Sequence, residues 1–165
     1  MRTPTALVMM SLLLLAAPLV ALDQEAIERA DALYDDDRAG EAIDVLEDAL
    51  SSANGGAERA EVLWRLSRAT LAVGEELEDA GADVDRVLAV YEEGERYGVQ
   101  AVEADASNHL GYYWQSANIG KWGQAKGILN SRFKAGPMRE LLRQAISVEP
   151  EHPDSISRET TFWHA

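Results

Sequence analysis

The chain has 165 residues, a length typical of one domain with its own hydrophobic core. Its formal net charge is −14, which argues against a nucleic-acid partner because phosphate binding normally uses a basic surface. It has no cysteine, so the fold must be stabilised by packing and not by disulfides.

Residues 1–21 have the pattern of a secretory signal. Arg2 gives a positive start, an apolar run follows at 6–17, Pro18 interrupts it, and Ala21 is the candidate cleavage position. The run is shorter than the about 20 residues of a transmembrane helix. We therefore expect an exported protein, with the periplasm as its compartment, whose first segment is either cleaved or kept as an N-terminal membrane anchor.

The rest of the chain has the apolar spacing of α-helices, and runs that alternate like β-strands are absent. The first segment shows this well. Ala26, Ala30 and Leu33 line one helical face, and a second apolar face follows the polar break at 35–40. The pattern predicts a helical hairpin here and an all-α fold for the domain as a whole.

Two stretches carry a repeat signature: EAIDVLEDA at 41–49 and AEVLWRLSRATLAVG at 60–74, where Gly74 is expected to end a helix. They resemble the second and first helices of the tetratricopeptide repeat (TPR), a 34-residue unit of two helices. The resemblance implies a tetratricopeptide-like right-handed superhelix of about three helical hairpins. The hairpins begin at Asp23, Ala60 and His109.

The second and third repeats are lengthened by about 15 and about 10 residues between their two helices. Such lengthened repeats resemble the helical domain of the regulator of microtubule dynamics family and its exported bacterial relatives, which resemble the periplasmic protein associated with a TRAP-type solute transporter. The stretches that carry this resemblance are AEVLWRLSRA, YYWQSANIGKWGQAKGIL and PMRELLRQAISVEPEHPDS. We expect a repeat domain at 22–152 and a short C-terminal tail at 153–165.

In this family the first helix of each hairpin lines a concave groove. The resemblance gives Trp64 and Tyr113 equivalent places, so we expect both rings to face one groove beside Arg68, with core packing as the alternative for each ring. Further positions of the same kind are Ile27, Asp31 and Gly120. The candidate groove residues are Tyr34, Glu61, Trp64, Arg68, Leu71, Leu110, Tyr113 and Ala117.

The segment 112–134 combines aromatic residues, glycines and every lysine of the chain. Glycine inside a helix costs roughly 1 kcal/mol relative to alanine, so we expect this helix to end near Gly120–Gly123 and the last helix to begin at Pro137. The basic residues between them would then form an inserted docking loop. Its candidate residues are Lys121, Lys126, Arg132 and Lys134.

Charge is distributed unevenly along the chain. Residues 22–105 contain 24 acidic and 7 basic side chains, whereas residues 106–148 contain one acidic and six basic side chains. Two interpretations remain open: attraction between the acidic and basic parts, within or between chains, or a docking patch for an anionic partner, head group or ligand.

Motifs of catalysis are absent from the sequence, and the three histidines are scattered. Glu103, Asp105 and His109 lie around a turn, where a solvated acidic turn is the simpler interpretation than a metal site. We expect no catalytic residue, no cofactor and no metal. The predicted function is a non-enzymatic protein–protein interaction scaffold of the bacterial cell envelope, with a transporter component as one candidate partner. The alternative is a module that binds a small anionic solute in the groove.

The last hairpin needs a cover for its apolar face, because repeat arrays require polar ends. Phe162 and Trp163 of the tail could fold back on it, another chain or a second copy could cover it, or the reading frame could be truncated.

Overall fold

The structure is a computed structural model that describes residues 23–127 and 132–150. The predicted signal segment at 1–21 and the C-terminal tail at 153–165 lie outside the described residues, as does the side chain of Arg132. The helices are α1 (Gln24–Asp35), α2 (Ala39–Ser52), α3 (Gly56–Asp79), α4 (Val84–Ala104), α5 (His109–Lys126), a short 3-10 helix (Arg132–Lys134) and α6 (Ala135–Val148).

These helices form three consecutive hairpins, α1–α2, α3–α4 and α5–α6. Each helix packs against the next, and α3 also packs directly against α5. The part of the chain that the structure describes contains no β-strand. The predicted all-α, tetratricopeptide-like fold of three hairpins is therefore confirmed.

Short polar side chains fix the start of three helices. A carboxylate oxygen of Asp23 accepts from the backbone N–H of Ala26 at 3.2 Å, and Asp83 accepts from Asp85 at 3.0 Å. The amide oxygen of Asn108 accepts from the N–H of Gly111 at 3.2 Å. Each bond satisfies an N–H group that a helix start leaves without a partner, so the third hairpin begins at His109 as predicted.

The predicted end of α3 at Gly74 is wrong, because the helix continues to Asp79. Gly74 instead makes room for a neighbour: a Cβ at this position would lie 2.3 Å from the ring of Tyr91 on α4. Tyr91 is fully buried, and its hydroxyl donates to Glu78 at 2.6 Å. Burial and this hydrogen bond raise the pKa of Tyr91 well above its ordinary value. The extra residues of the second repeat therefore lengthen α3 and α4 and do not form a loop.

The predicted end of α5 near Gly120–Gly123 is also wrong, since the helix continues to Lys126. Trp122 is buried, and Gly120 faces the sulfur of Met138, 3.3 Å from the position of a Cβ. Packing on α6 thus outweighs the low helix propensity of these glycines. Gly127 caps the end of α5, and its φ of 93° suits glycine.

The final helix begins at Ala135, two residues before the predicted start at Pro137. Pro137 lies in the first turn, where a helix needs no N–H donor. The basic residues are therefore not all on a loop: Lys121 and Lys126 belong to α5, and Lys134 belongs to the 3-10 helix.

Trp114 joins the three hydrophobic clusters of the core. The first cluster lies mainly among α1, α2 and α3, the second among α3, α4 and α5, and the third between α5 and α6. The partly buried Trp114 packs against all three. One side chain on α5 thus connects the hairpins into a continuous core.

A buried polar junction connects α3, α4 and α5. Asn118, which is fully buried, donates to the backbone oxygen and the hydroxyl of Ser67, each at 3.1 Å. The hydroxyl of Ser67 donates to the backbone oxygen of Gly94 at 2.8 Å. A Cβ at Gly94 would lie 2.1 Å from Oδ1 of Asn118. Only glycine lets α4 approach this amide so closely.

Within the described helices, none is both long and apolar enough to cross a membrane.

Candidate binding surface on α1, α3 and α5

Two arginines of α3 converge on one carboxylate of α1. Nε of Arg65 donates to both oxygens of Asp31 at 3.1 Å, and Nη2 of Arg68 bonds one of the same oxygens. The arginine side chains are only 13% and 15% exposed, whereas Asp31 is 34% exposed. The long arginine side chains therefore bridge from α3 to α1 and leave the shared carboxylate facing solvent.

Two aromatic rings enclose the guanidinium groups. The guanidinium carbon of Arg68 lies 4.0 Å from the ring centre of Tyr34 and 5.2 Å from that of Trp64. The guanidinium carbon of Arg65 lies 4.1 Å from the centre of the Trp64 ring. Each such contact at a partly desolvated site contributes roughly 0.5–2 kcal/mol. The rings thus hold both arginines in fixed orientations.

Glu61 connects this cluster to the start of α5. One carboxylate oxygen accepts from Nη1 of Arg65 at 2.8 Å and from Nε1 of Trp64 at 3.2 Å. The other oxygen accepts from the amide of Asn108, the cap of α5, at 2.9 Å. Two acids and two arginines therefore balance one another across α1, α3 and the start of α5.

Among the buried N–H groups of this cluster, Nε of Arg68 lacks an acceptor. This nitrogen forms no hydrogen bond within the described residues. A buried unsatisfied donor costs about 1–3 kcal/mol, more where the group is charged. The ring that covers the guanidinium belongs to Tyr34, which is only partly buried.

The structure brings together four predicted groove residues in this cluster: Tyr34, Glu61, Trp64 and Arg68. Leu110 is partly buried against the first hydrophobic cluster. Whether any of them binds a partner stays a prediction.

The expectation that Trp64 and Tyr113 face one accessible groove is wrong. They are 7% and 4% exposed and lie in different hydrophobic clusters. Leu71 and Ala117 are also buried. The core packing that was the alternative for these aromatics is what the structure shows.

Arg65 and Asn108 are functional candidates that the sequence interpretation missed. Arg65 lies 34 residues after Asp31, which is the length of one standard repeat. The same spacing pairs Tyr34 with Arg68. A search for complementary residues one repeat apart could have found both contacts.

Two of the predicted docking lysines form ion pairs within the chain. Lys121 pairs with Glu75 of α3 at 2.6 Å, and Lys134 pairs with Glu95 of α4 at 2.8 Å. These two ion pairs agree with the first interpretation of the charge asymmetry, which is attraction between the acidic and basic parts within the chain. Lys126 is exposed at the end of α5.

Across the described ranges, no group of three or more histidine or acidic side chains has an arrangement that could hold a metal ion.

Comparison with protein families gives a match to the model described as regulator of microtubule dynamics protein 1-3, over residues 26–159. The chain belongs to this family. No curated protein matches it. The fold is similar to the second TPR domain of the human RPAP3 protein, solved by NMR in complex with the HSP70 peptide SGPTIEEVD. The TM-score is 0.56 at 14% sequence identity, with 83% of this chain and 91% of that chain covered. At this identity the likeness shows the fold alone, which is that of a TPR domain.

Proposed function

We propose that this chain is a non-enzymatic interaction scaffold that holds a segment of a partner protein on the surface of α1, α3 and α5. The observation that carries the proposal is the position of Arg68. Its guanidinium lies between the rings of Tyr34 and Trp64 and donates from Nη2 to the carboxylate of Asp31. Its buried Nε has no acceptor.

A polypeptide with a carboxylate or a backbone carbonyl suits this site. Because Nε of Arg68 is buried, we propose that the partly buried Tyr34 ring moves aside on binding, so that an acceptor group on the partner satisfies Nε and the ring offers apolar contact beside it. Asp31 already fixes the orientation of the guanidinium, so binding would order few additional side chains. The peptide bound by the structurally similar RPAP3 domain supports a polypeptide as the partner class.

We further propose that the scaffold acts in the bacterial cell envelope and docks a component of a solute transporter. The signal-like pattern at 1–21 supports export. The resemblance of the lengthened repeats to exported bacterial relatives supports the transporter link. Fractionating cells that produce the full chain and locating the protein with an antibody tests the compartment, and the identity of the cross-linked protein described below tests the transporter link.

Photo-cross-linking in cells tests the binding surface. Benzoylphenylalanine replaces Tyr34 at the surface, or Ala89, an exposed residue of α4, as the control. We expect a discrete cross-linked protein from position 34 that is absent from position 89 and lost when Arg68→Gln is added. Equal products from both positions, or a product that persists with Arg68→Gln, would contradict the proposal.

The second candidate function is binding of a small anionic solute at Arg68. It is favoured by the burial of the guanidinium between two rings, because a small carboxylate needs only a compact site. Because the Trp64 ring lies next to Arg68, its fluorescence can report binding during a titration with organic acids. A saturable change that Arg68→Gln abolishes would support the solute; a flat response across a broad panel would exclude it in favour of the polypeptide.

A further inference from the structure

The charges of the cluster around Arg68 already balance within the chain. Both oxygens of Asp31 accept from Arg65 at 3.1 Å, and one of them also accepts from Nη2 of Arg68. Glu61 accepts from Arg65 at 2.8 Å. Two carboxylates and two guanidinium groups sum to no net charge, so the cluster has no excess positive charge to attract an anion.

The acids of this cluster lie nearer to solvent than its arginines. The side chains of Asp31 and Glu61 are 34% and 43% exposed, whereas both arginine side chains are largely buried. A ligand that approaches from solvent therefore comes close to two carboxylates on its way to the guanidinium of Arg68. These carboxylates repel a negatively charged ligand and leave an uncharged one unaffected.

The first hairpin adds negative charge around this cluster. Residues 23–53, which contain α1 and α2, carry 11 acidic and 2 basic side chains. Glu28 and Asp35 are exposed and lie about one helical turn before and after Asp31, on the same side of α1. The potential outside this part of the surface is therefore negative, which further disfavours an anionic ligand.

The buried donor that remains in the cluster is the Nε–H of Arg68. One N–H group needs one acceptor, and an amide carbonyl oxygen is sufficient. Moving a carboxylate out of water to a buried donor costs far more than moving an amide carbonyl, unless an unpaired cation compensates the charge. Because Asp31 already pairs with this guanidinium, the uncharged acceptor suits the site better.

We propose that the Arg68 surface selects an uncharged segment of its partner and binds it through an amide carbonyl and not through a carboxylate. This selectivity rests on the proposed function, since it requires a polypeptide at this surface. Nε of Arg68 donates to the carbonyl, while Asp31 keeps its bonds to both arginines. No ion pair of the chain is exchanged on binding, so the affinity should depend little on salt. The exposed acids act against acidic segments.

Affinity selection with three mixtures of blocked octapeptides tests the selectivity. The first mixture contains aspartate and glutamate, the second has asparagine and glutamine in their place, and the third has serine and alanine. The immobilised full chain is loaded at low and at high salt, and mass spectrometry measures the fraction retained. Arg68→Gln removes the donor. Arg68→Lys keeps the charge opposite Asp31 but has no nitrogen at the position of Nε. Arg86→Gln, at an exposed arginine of α4, is the matched control.

We expect the wild type to retain the uncharged mixtures and to retain the acidic mixture at least about fivefold less, as for a like charge at a partly exposed site. Both Arg68 variants should lose this retention, whereas Arg86→Gln should keep it at either salt concentration. Equal retention of the two uncharged mixtures assigns the acceptor to the peptide backbone. Stronger retention of the second mixture assigns it to a side-chain amide.

Glu61→Gln tests the electrostatic cause separately. It removes one negative charge and leaves the contacts of Arg68 in place, because Glu61 bonds only Trp64, Arg65 and Asn108 among the described side chains. The acidic mixture should then be retained better than by the wild type, and an unchanged preference would contradict the proposal.

The outcomes separate this selectivity from the proposed function. Preferential retention of the acidic mixture that depends on Arg68 would overturn the selectivity and leave the interaction surface standing. Retention that is the same in the wild type and in both Arg68 variants, for every mixture, would overturn both.

Discussion

Arg65 donates to both carboxylate oxygens of Asp31, the residue 34 positions before it, at 3.1 Å. The contact joins corresponding turns of two consecutive repeats, so the repeat period itself places an acid opposite an arginine. With Arg68 drawn to the same carboxylate, the pair forms the charged centre of the surface on α1, α3 and α5.

Replacing Asp31 with asparagine should destabilise the protein, because two largely buried arginines would lose their shared anion. We expect a loss of about 1–2 kcal/mol in the free energy of unfolding, measured by urea denaturation. Asp44→Asn, at an exposed position of α2, is the control and should change stability by less than about 0.5 kcal/mol. Equal stability of the two variants would show that Asp31 does not hold the arginines.

Gly74→Ala should be destabilising even though alanine is the better helix former. A Cβ at this position would overlap the buried ring of Tyr91, and such overpacking costs about 1–3 kcal/mol. Gly40→Ala in α2 is the matched control, because no atom lies within 4 Å of its added Cβ; it should be neutral or stabilising by up to about 1 kcal/mol. Thermal unfolding of both variants distinguishes them, and a stabilising Gly74→Ala would contradict the packing of α3 on α4.

Asn118→Ala should remove the polar junction between α3, α4 and α5. It leaves a cavity and breaks the bonds to Ser67, for a loss of about 2–3 kcal/mol. Ser116→Ala is the control on the same helix: Ser116 is also buried, but its hydroxyl donates only to the nearby backbone oxygen of Tyr113. We expect it to cost less than about 1 kcal/mol, and chemical denaturation of both variants measures the difference. Similar losses would refute a special role for Asn118.

The Lys121→Glu variant should place a second carboxylate next to that of Glu75, where the wild type has an ion pair. Because both side chains are partly exposed, the cost should be only about 0.5–1 kcal/mol and should fall at high salt. The exchange variant Lys121→Glu with Glu75→Lys should recover most of it. A double-mutant cycle in denaturant measures the coupling, and additive effects would mean that the pair does not form in solution.

The fold could be predicted from the sequence because helical spacing and repeat signatures recur along the chain. The expected position of Trp64 was wrong by a single residue. Trp64 lies 34 positions after the buried Ala30, whereas Arg65 lies 34 positions after the partly exposed Asp31. One residue turns a helix by about 100°, which separates a core position from a surface position.

Helix ends were less predictable than helix faces. Gly74 and Gly120 look like helix ends in the sequence, but Tyr91 and Met138 pack against them. Nothing near these glycines in the sequence indicates which distant side chain will pack there.

The most direct test of the central claim uses the cross-linked partner segment as a synthetic peptide. Its affinity is measured for the Arg68→Gln variant and for the control variant Arg86→Gln, which changes an exposed arginine of α4. Titration calorimetry on variants shown to be folded should give at least about tenfold weaker binding for Arg68→Gln and wild-type binding for Arg86→Gln. Equal affinities for the two folded variants would contradict a binding surface centred on Arg68.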